Sequence, residues 1–190
     1  DQPRPQRAEL VCGGPVFMSY AELACYSNFT FMRGASHAHE LVERAVKLGL
    51  AAISITDINT FAGIVRGHAA AKEFGLRYVV GVRLQFQDGP DVLAYPKTRV
   101  AYGRLCRLLT LGKRRTTKGH CELYIKDLLD WGEDTVLIIA GDDERATKAL
   151  KTKFGADVYL GIAPKYDGQD VRHFKARADE AAGLGIPLVA

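Results

Sequence analysis

About six times along this chain, a short run of apolar and β-branched residues gives way to a longer segment with apolar residues every three or four positions. A period of two belongs to strands and a period of 3.6 to helices, so the pattern describes strand–helix units in series. Such units pack as an α/β domain with a mostly parallel sheet, open or closed into a barrel. The spacing predicts strands over 20–26, 51–56, 78–86, 92–95, 135–140, 157–162 and 186–190. It predicts a first helix capped by Ser36 and ended by Gly49, then helices over 61–74, 99–111, 124–131, 142–153 and 170–184. The run 51–56 carries two isoleucines and reads as a strand buried on both faces, while Asp88-Gly89 marks a turn. In folds of this class the chemistry sits at the carboxyl ends of strands. Tyr26, Ser27, Asp57, Ile58 and Arg83 fall at or near such ends.

The length of 190 residues suits one domain, and 47% apolar residues suffice for a sizeable core. Residues 1–18, with three prolines and an adjacent glycine pair, read as a flexible arm before a domain over 19–190. The net charge of +4 is mild, but its distribution is not. Lys97, Arg99, Arg104, Arg107, Lys113, Arg114, Arg115 and Lys118 are eight cations in a stretch with no acid. Two readings stand: a solvated helix face plus a loop, or a surface for nucleic acid or an acidic neighbouring domain. Cys12, Cys25, Cys106 and Cys121 show no CxxC spacing, which excludes a zinc ribbon or a thioredoxin-like motif and suits a reducing cytoplasm. No run is long and apolar enough to span a membrane, so no membrane partner is expected. A start at Asp1 and a close on the apolar run 186–190 suggest a fragment of a longer protein.

The chain contains no GxSxG, GxxxxGK[ST] or GxGxxG, so a hydrolase elbow, a P-loop and a dinucleotide fingerprint are excluded. Phosphoester hydrolysis on an α/β scaffold needs several His, Asp or Glu side chains converging on divalent metals. The histidines are His37, His39, His68, His120 and His173. His37 and His39 form an HxH pair, but two helical positions differ by roughly 200° about the axis, which does not suit one ion. Asp57 is the strongest single carboxylate candidate, at the end of a buried strand; its competing role is to cap the following helix.

The blocks SNFTFMRGASHAHELVERAVKLGLAAISITD and AGIVRGHAAAKEFGLRYVVG resemble the amino-terminal PHP (polymerase and histidinol phosphatase) domain of bacterial C-family DNA polymerases. YGRLCRLLTLGKRR, KGHCEL and GLGIPLVA, in the same order, make the resemblance closest to the error-prone members related to the polymerase III alpha subunit. The resemblance covers about residues 18–190 and implies a distorted (β/α)7 barrel, incomplete at the carboxyl end here. In active members the barrel holds a metal cluster for phosphoester or 3′–5′ exonuclease chemistry. The family's first HxH pair falls on Ala24 and Tyr26, its Asp-His on Asp57 and Ile58, and the Glu of its GxE motif on Arg83. A further histidine falls near Asp91, and the last ligands lie beyond residue 190.

The resemblance therefore implies a domain without a catalytic metal or catalytic residues, in which Arg83 pairs with Asp57. It implies a parent enzyme that synthesises DNA past lesions in damage-induced mutagenesis, using Mg²⁺ and deoxynucleoside triphosphates in downstream polymerase domains. Those domains, and DNA through them, are the implied partners. Two alternatives remain: an active phosphoesterase using Asp57, His37, His39 and Asp91, and a free-standing interaction module.

Overall fold

The computed structural model describes residues 20–190; the arm expected over 1–18 lies outside them. The chain runs β1 (Ala21–Cys25), α1 (Ala38–Lys47), β2 (Ala52–Ile55), α2 (Ile64–Phe74), β3 (Arg77–Tyr78), β4 (Val82–Leu84) and β5 (Val92–Pro96). It continues with α3 (Arg99–Arg114), α4 (Ile125–Trp131), β6 (Thr135–Ile139), α5 (Glu144–Phe154), a 3-10 turn, β7 (Val158–Gly161), α6 (Asp170–Leu184) and β8 (Leu188–Val189). The strands form two sheets, β1-β2-β3 and β4-β5-β6-β7-β8. The α/β alternation read from the sequence is present. No helix among the described residues is long and apolar enough to cross a membrane.

Three local expectations need correction. The strand expected over 78–86 is two strands, because the chain leaves the first sheet after Tyr78 and joins the second at Val82. Gly81 permits that crossing: a Cβ there would lie 2.7 Å from the Tyr95 ring and 2.8 Å from Ser54 Oγ. The parallel arrangement is interrupted, since β5 runs antiparallel to both β4 and β6. A short turn through Asp88-Gly89 joins β4 to β5, and without a crossover helix the next strand must reverse. Finally, α1 is capped at His37 rather than Ser36, with the His37 N–H donating to Glu40 Oε2 at 2.7 Å.

Each sheet has its own outer core. Val42, Ala45, Ile53, Ala70 and Ala71 join α1 and α2 to the first sheet. A larger cluster including Leu105, Leu108, Leu128, Leu137, Leu150 and Leu160 joins the second sheet to α3, α4 and α5. Side chains alternate across a strand, so Leu93 and Tyr95 of β5 face the other way and meet Leu23, Ala24 and Val189. The Tyr95 hydroxyl donates to the Leu23 carbonyl at 2.7 Å, tying the two sheets across this inner face. The sheets also touch through one parallel bridge between Ile58 and Arg83. The expected ring of a (β/α)7 barrel is not closed among the described residues: β1 pairs only with β2, and β8 only with β7.

Leu137 sits in the centre of β6, fully buried between Ala94 and Val158 of the neighbouring strands. Leu137→Ala is expected to lower stability by about 2–5 kcal/mol, read as a lower urea midpoint with an unchanged slope.

Candidate functional site

All four residues of β2 are buried, and the strand delivers Asp57 to a closed position just past its end, where the residue is 2% exposed. Asp57 Oδ1 accepts from the Ser27 N–H at 2.8 Å and from Thr30 Oγ1 at 2.7 Å. Its Oδ2 accepts from Ser27 Oγ at 2.6 Å. Thr30 Oγ1 in turn accepts from the Ile58 N–H at 3.1 Å. Gly63 closes the remaining side, since a Cβ on it would lie 2.7 Å from Asp57 Oδ2. The capping role read from the sequence is therefore wrong in its target. Asp57 holds the turn after β1, and α2 follows Gly63 without a side-chain cap.

Arg83 does not pair with Asp57 either. Only main-chain atoms link them, the Arg83 N–H donating to the Asp57 carbonyl at 3.2 Å. The Arg83 guanidinium lies 3.3 Å from Asp91 Oδ2, and its carbon is 5.1 Å from the centre of the Tyr26 ring. Gln85 Nε2 also reaches Asp91 Oδ2, at 3.3 Å. Because Asp57 already accepts three hydrogen bonds from the 27–30 turn, the cation takes the carboxylate across the β4–β5 hairpin instead. The structure thus brings Tyr26, Arg83 and Asp91 together and keeps Asp57 apart.

Ala24 and Arg83 border a cavity of about 460 Å³ with an apolar floor that includes Leu93, Ile138 and Val189. Among the described residues, no three His, Cys, Asp or Glu side chains come together as a metal-holding group. The residues do not fit a metal cluster: Ala24 and Ile58 offer no donor, Arg83 is a cation, and the Asp57 carboxylate is committed to Ser27 and Thr30. Cys25, beside the site, is no substitute. Burial, with Glu22 and Asp57 nearby, pushes its thiol up to about 11, away from the thiolate that metals and electrophiles require.

His37 and His39 are closer than helical spacing implies. His37 is an extended cap residue, and the two rings stack at 5.7 Å with 12° between their planes. No third ligand completes them. His68 packs edge-on against Tyr78 at 6.1 Å, as a helix-packing residue does. Sequence reasoning missed Arg177, which is 3% exposed. It donates to the Ile139 carbonyl at 2.9 Å and the Gly161 carbonyl at 3.3 Å, and pairs with Glu180 at 2.8 Å. The one available signal is the helical i, i+3 spacing to Glu180.

The basic stretch divides. Lys97 pairs with Asp157 at 2.5 Å, and Arg104 with Glu133 at 2.9 Å. Arg115 makes a two-pronged contact with Asp127 at 2.5 and 2.8 Å and lies over Tyr124. These three are structural. Arg99, Arg107, Lys113, Arg114 and Lys118 are exposed and make no ion pair among the described residues.

The chain matches the family model of the PHP domain over residues 22–160. It is 44% identical over 180 residues to error-prone DNA polymerase 1 of Rhizobium meliloti (strain 1021), covering 90% of this chain and 16% of that protein. It is 45% identical over 184 residues to the error-prone DNA polymerase of Brucella abortus biovar 1 (strain 9-941), covering 90% of this chain and 17% of that protein. The chain thus spans about a sixth of the length of the curated relatives it matches. Its fold resembles that of a protein from Bifidobacterium adolescentis proposed to be a metal-dependent phosphoesterase, with a TM-score of 0.62 at 16% identity, covering 90% of this chain and 86% of that one.

Two outcomes follow from the geometry. Asp57→Ala is expected to cost about 2–4 kcal/mol in urea unfolding, because buried donors of Ser27 and Thr30 lose their acceptor. Asp91→Ala, at a partly exposed ion pair, is expected to cost about 1 kcal/mol or less. The Arg115 guanidinium and the Tyr124 N–H hold the Asp127 carboxyl below its ordinary value. A carboxyl lowered on folding adds stability above its unfolded value, and that stability is lost as pH falls through the folded value. Unfolding midpoints are therefore expected to drop below about pH 4, and Asp127→Asn to flatten that fall.

Proposed function

The chain belongs to the PHP domain family, and we propose from that premise that it is the amino-terminal PHP domain of an error-prone DNA polymerase, retained as scaffold after loss of its metal chemistry. The observation that carries this reading is the exchange at the candidate centre. Where the family places metal ligands, this chain has an Arg83–Asp91 ion pair resting on Tyr26. A fixed cation repels a divalent ion, and the carboxylate it engages no longer has its full charge to offer. Asp57 is occupied in the same sense, since turning toward a metal means giving up three hydrogen bonds. The residues left at the site hold the ends of β1, β2 and β4 together; none is positioned to activate water.

The identities over 90% of this chain support a place in a longer polymerase. In that protein, nucleotidyl transfer with Mg²⁺ and deoxynucleoside triphosphates belongs to domains outside this chain, in the cytoplasm, during synthesis past damaged bases. The proposed finer fold is the family's (β/α)7 ring. Closing it would join β1 to β8 and the β3 edge of the first sheet to the β4 edge of the second, each of these strands having one neighbouring strand here. The active-phosphoesterase reading asks Asp57, His37, His39 and Asp91 to act together, and the geometry gives it no support.

The test is titration calorimetry of the chain with Mn²⁺ and Zn²⁺ at micromolar concentration, alongside a fluorogenic phosphodiester assay. No binding heat and no metal-stimulated turnover are expected. Metal binding abolished by Asp91→Ala in a protein that remains folded would overturn the loss of chemistry. A native reading frame that stops soon after residue 190 would overturn the placement in a polymerase.

A further inference from the structure

A second cleft, of about 640 Å³, opens beside the end of β2 and the carboxyl end of α3. Proteins enclose organic ligands in spaces of roughly 300–1,000 Å³, so its size suits a ligand. Lys113, Lys118 and His120 line one side, Asn59 and Gln85 another, and Phe29 forms part of the lip. No carboxylate lines the cleft. Neither Lys113 nor Lys118 makes an ion pair among the described residues, unlike Lys97, Arg104 and Arg115 on the same stretch.

The cleft also continues onto a charged face. At about 100° per residue, Arg99, Arg107, Lys113 and Arg114 fall within roughly 120° of one another on α3. All four are exposed. A helix of 16 residues is about 24 Å long, enough to follow several backbone phosphates.

Cations alone would fit any polyanion; the apolar groups beside them narrow the choice. Phe29 is 41% exposed, and Phe31 and Met32 of the same turn are 87% exposed. Asn59 Oδ1 accepts from the Gln85 N–H at 3.1 Å, which leaves the Asn59 amide nitrogen as a donor. Cationic tracks with aromatic platforms and amide donors are how proteins hold unpaired nucleotides. The phosphates follow the cations and a base stacks on the ring. A duplex keeps its base faces covered, and a run of Asp and Glu side chains has no aromatic face for Phe29 to stack on.

We propose that this cleft binds single-stranded nucleic acid, with backbone phosphates at Lys113 and Lys118 and a base on Phe29. Of the positions corresponding to family metal ligands, only Ile58 lines it, so the site does not depend on whether the metal centre is silent.

The test is fluorescence anisotropy of fluorescein-labelled dT12 with the chain across a salt series. Binding that weakens with salt is expected. The double variant Lys113→Ala/Lys118→Ala should lose about tenfold or more in affinity and flatten the log–log salt slope by about 1.4, the release from two phosphates. Phe29→Ala should weaken binding about tenfold with the slope unchanged, and Phe29→Tyr, which keeps the ring, should restore it. Lys72→Ala, on the exposed side of α2, should change neither quantity. Failure to bind dT12 would overturn the proposal. So would equal losses for Lys72→Ala and the double variant. Displacement of dT12 by polyglutamate of equal charge, together with a silent Phe29→Ala, would assign the surface to an acidic protein instead.

Discussion

The carboxylate of Asp57 pins the turn after β1 to the end of β2, two strands that already lie side by side. Ser27 and Thr30 belong to the turn after β1, Ile58 begins the turn after β2, and Gly63 precedes α2. Ser27 and Thr30 would be left with buried, unpaired donors if the carboxylate were removed, and a buried unpaired donor costs more than a satisfied one contributes. The bridge from Ile58 to Arg83, which links the two sheets, lies one residue further on. The same side chain therefore fixes the turn after β1 next to the point where the second sheet is attached. Donors on both oxygens also leave that carboxylate little to offer an ion.

The neighbouring Arg83 shows how a buried cation is accommodated at the edge of a cavity. A guanidinium buried alone would be costly. Here it has Asp91 on one side and the face of Tyr26 on another. The ring and the cation thus support each other. Ala24 leaves room for the apolar floor of the cavity, which Leu93 and Ile138 complete. What remains is a polar contact above an apolar base, held by packing and one ion pair.

The alternation of strands and helices was legible because the two periods differ so strongly, and the prominence of Asp57 because it follows a short, isoleucine-bearing strand buried along its whole length. What the sequence concealed were choices between competing partners. Arg83 had more than one candidate acid in the sequence, and Asp57 was already engaged by hydroxyls some thirty positions earlier, in a turn whose Ser and Thr carry no distinctive signal. Three of the eight cations in the basic stretch find acids at positions 127, 133, 134 and 157, separations no periodicity reveals. The crossing at Gly81 was hidden in one apolar run, because the residues before and after it suit a strand equally well. The antiparallel β5 was announced only by Asp88-Gly89, a turn too short to hold a helix.

The division of the apolar interior has a kinetic meaning. The second sheet is backed by sixteen buried residues, the first by five. Openings of part of a protein cost free energy in proportion to the apolar contacts they break. The first sheet with α1 and α2 is thus the region that exchanges its amide hydrogens through partial opening, while the second sheet waits for global unfolding. The hydroxyl of Tyr95 crosses from the more durable unit to the less durable one. With the Ile58–Arg83 bridge, it is one of the ties whose release would let the amino-terminal half breathe on its own.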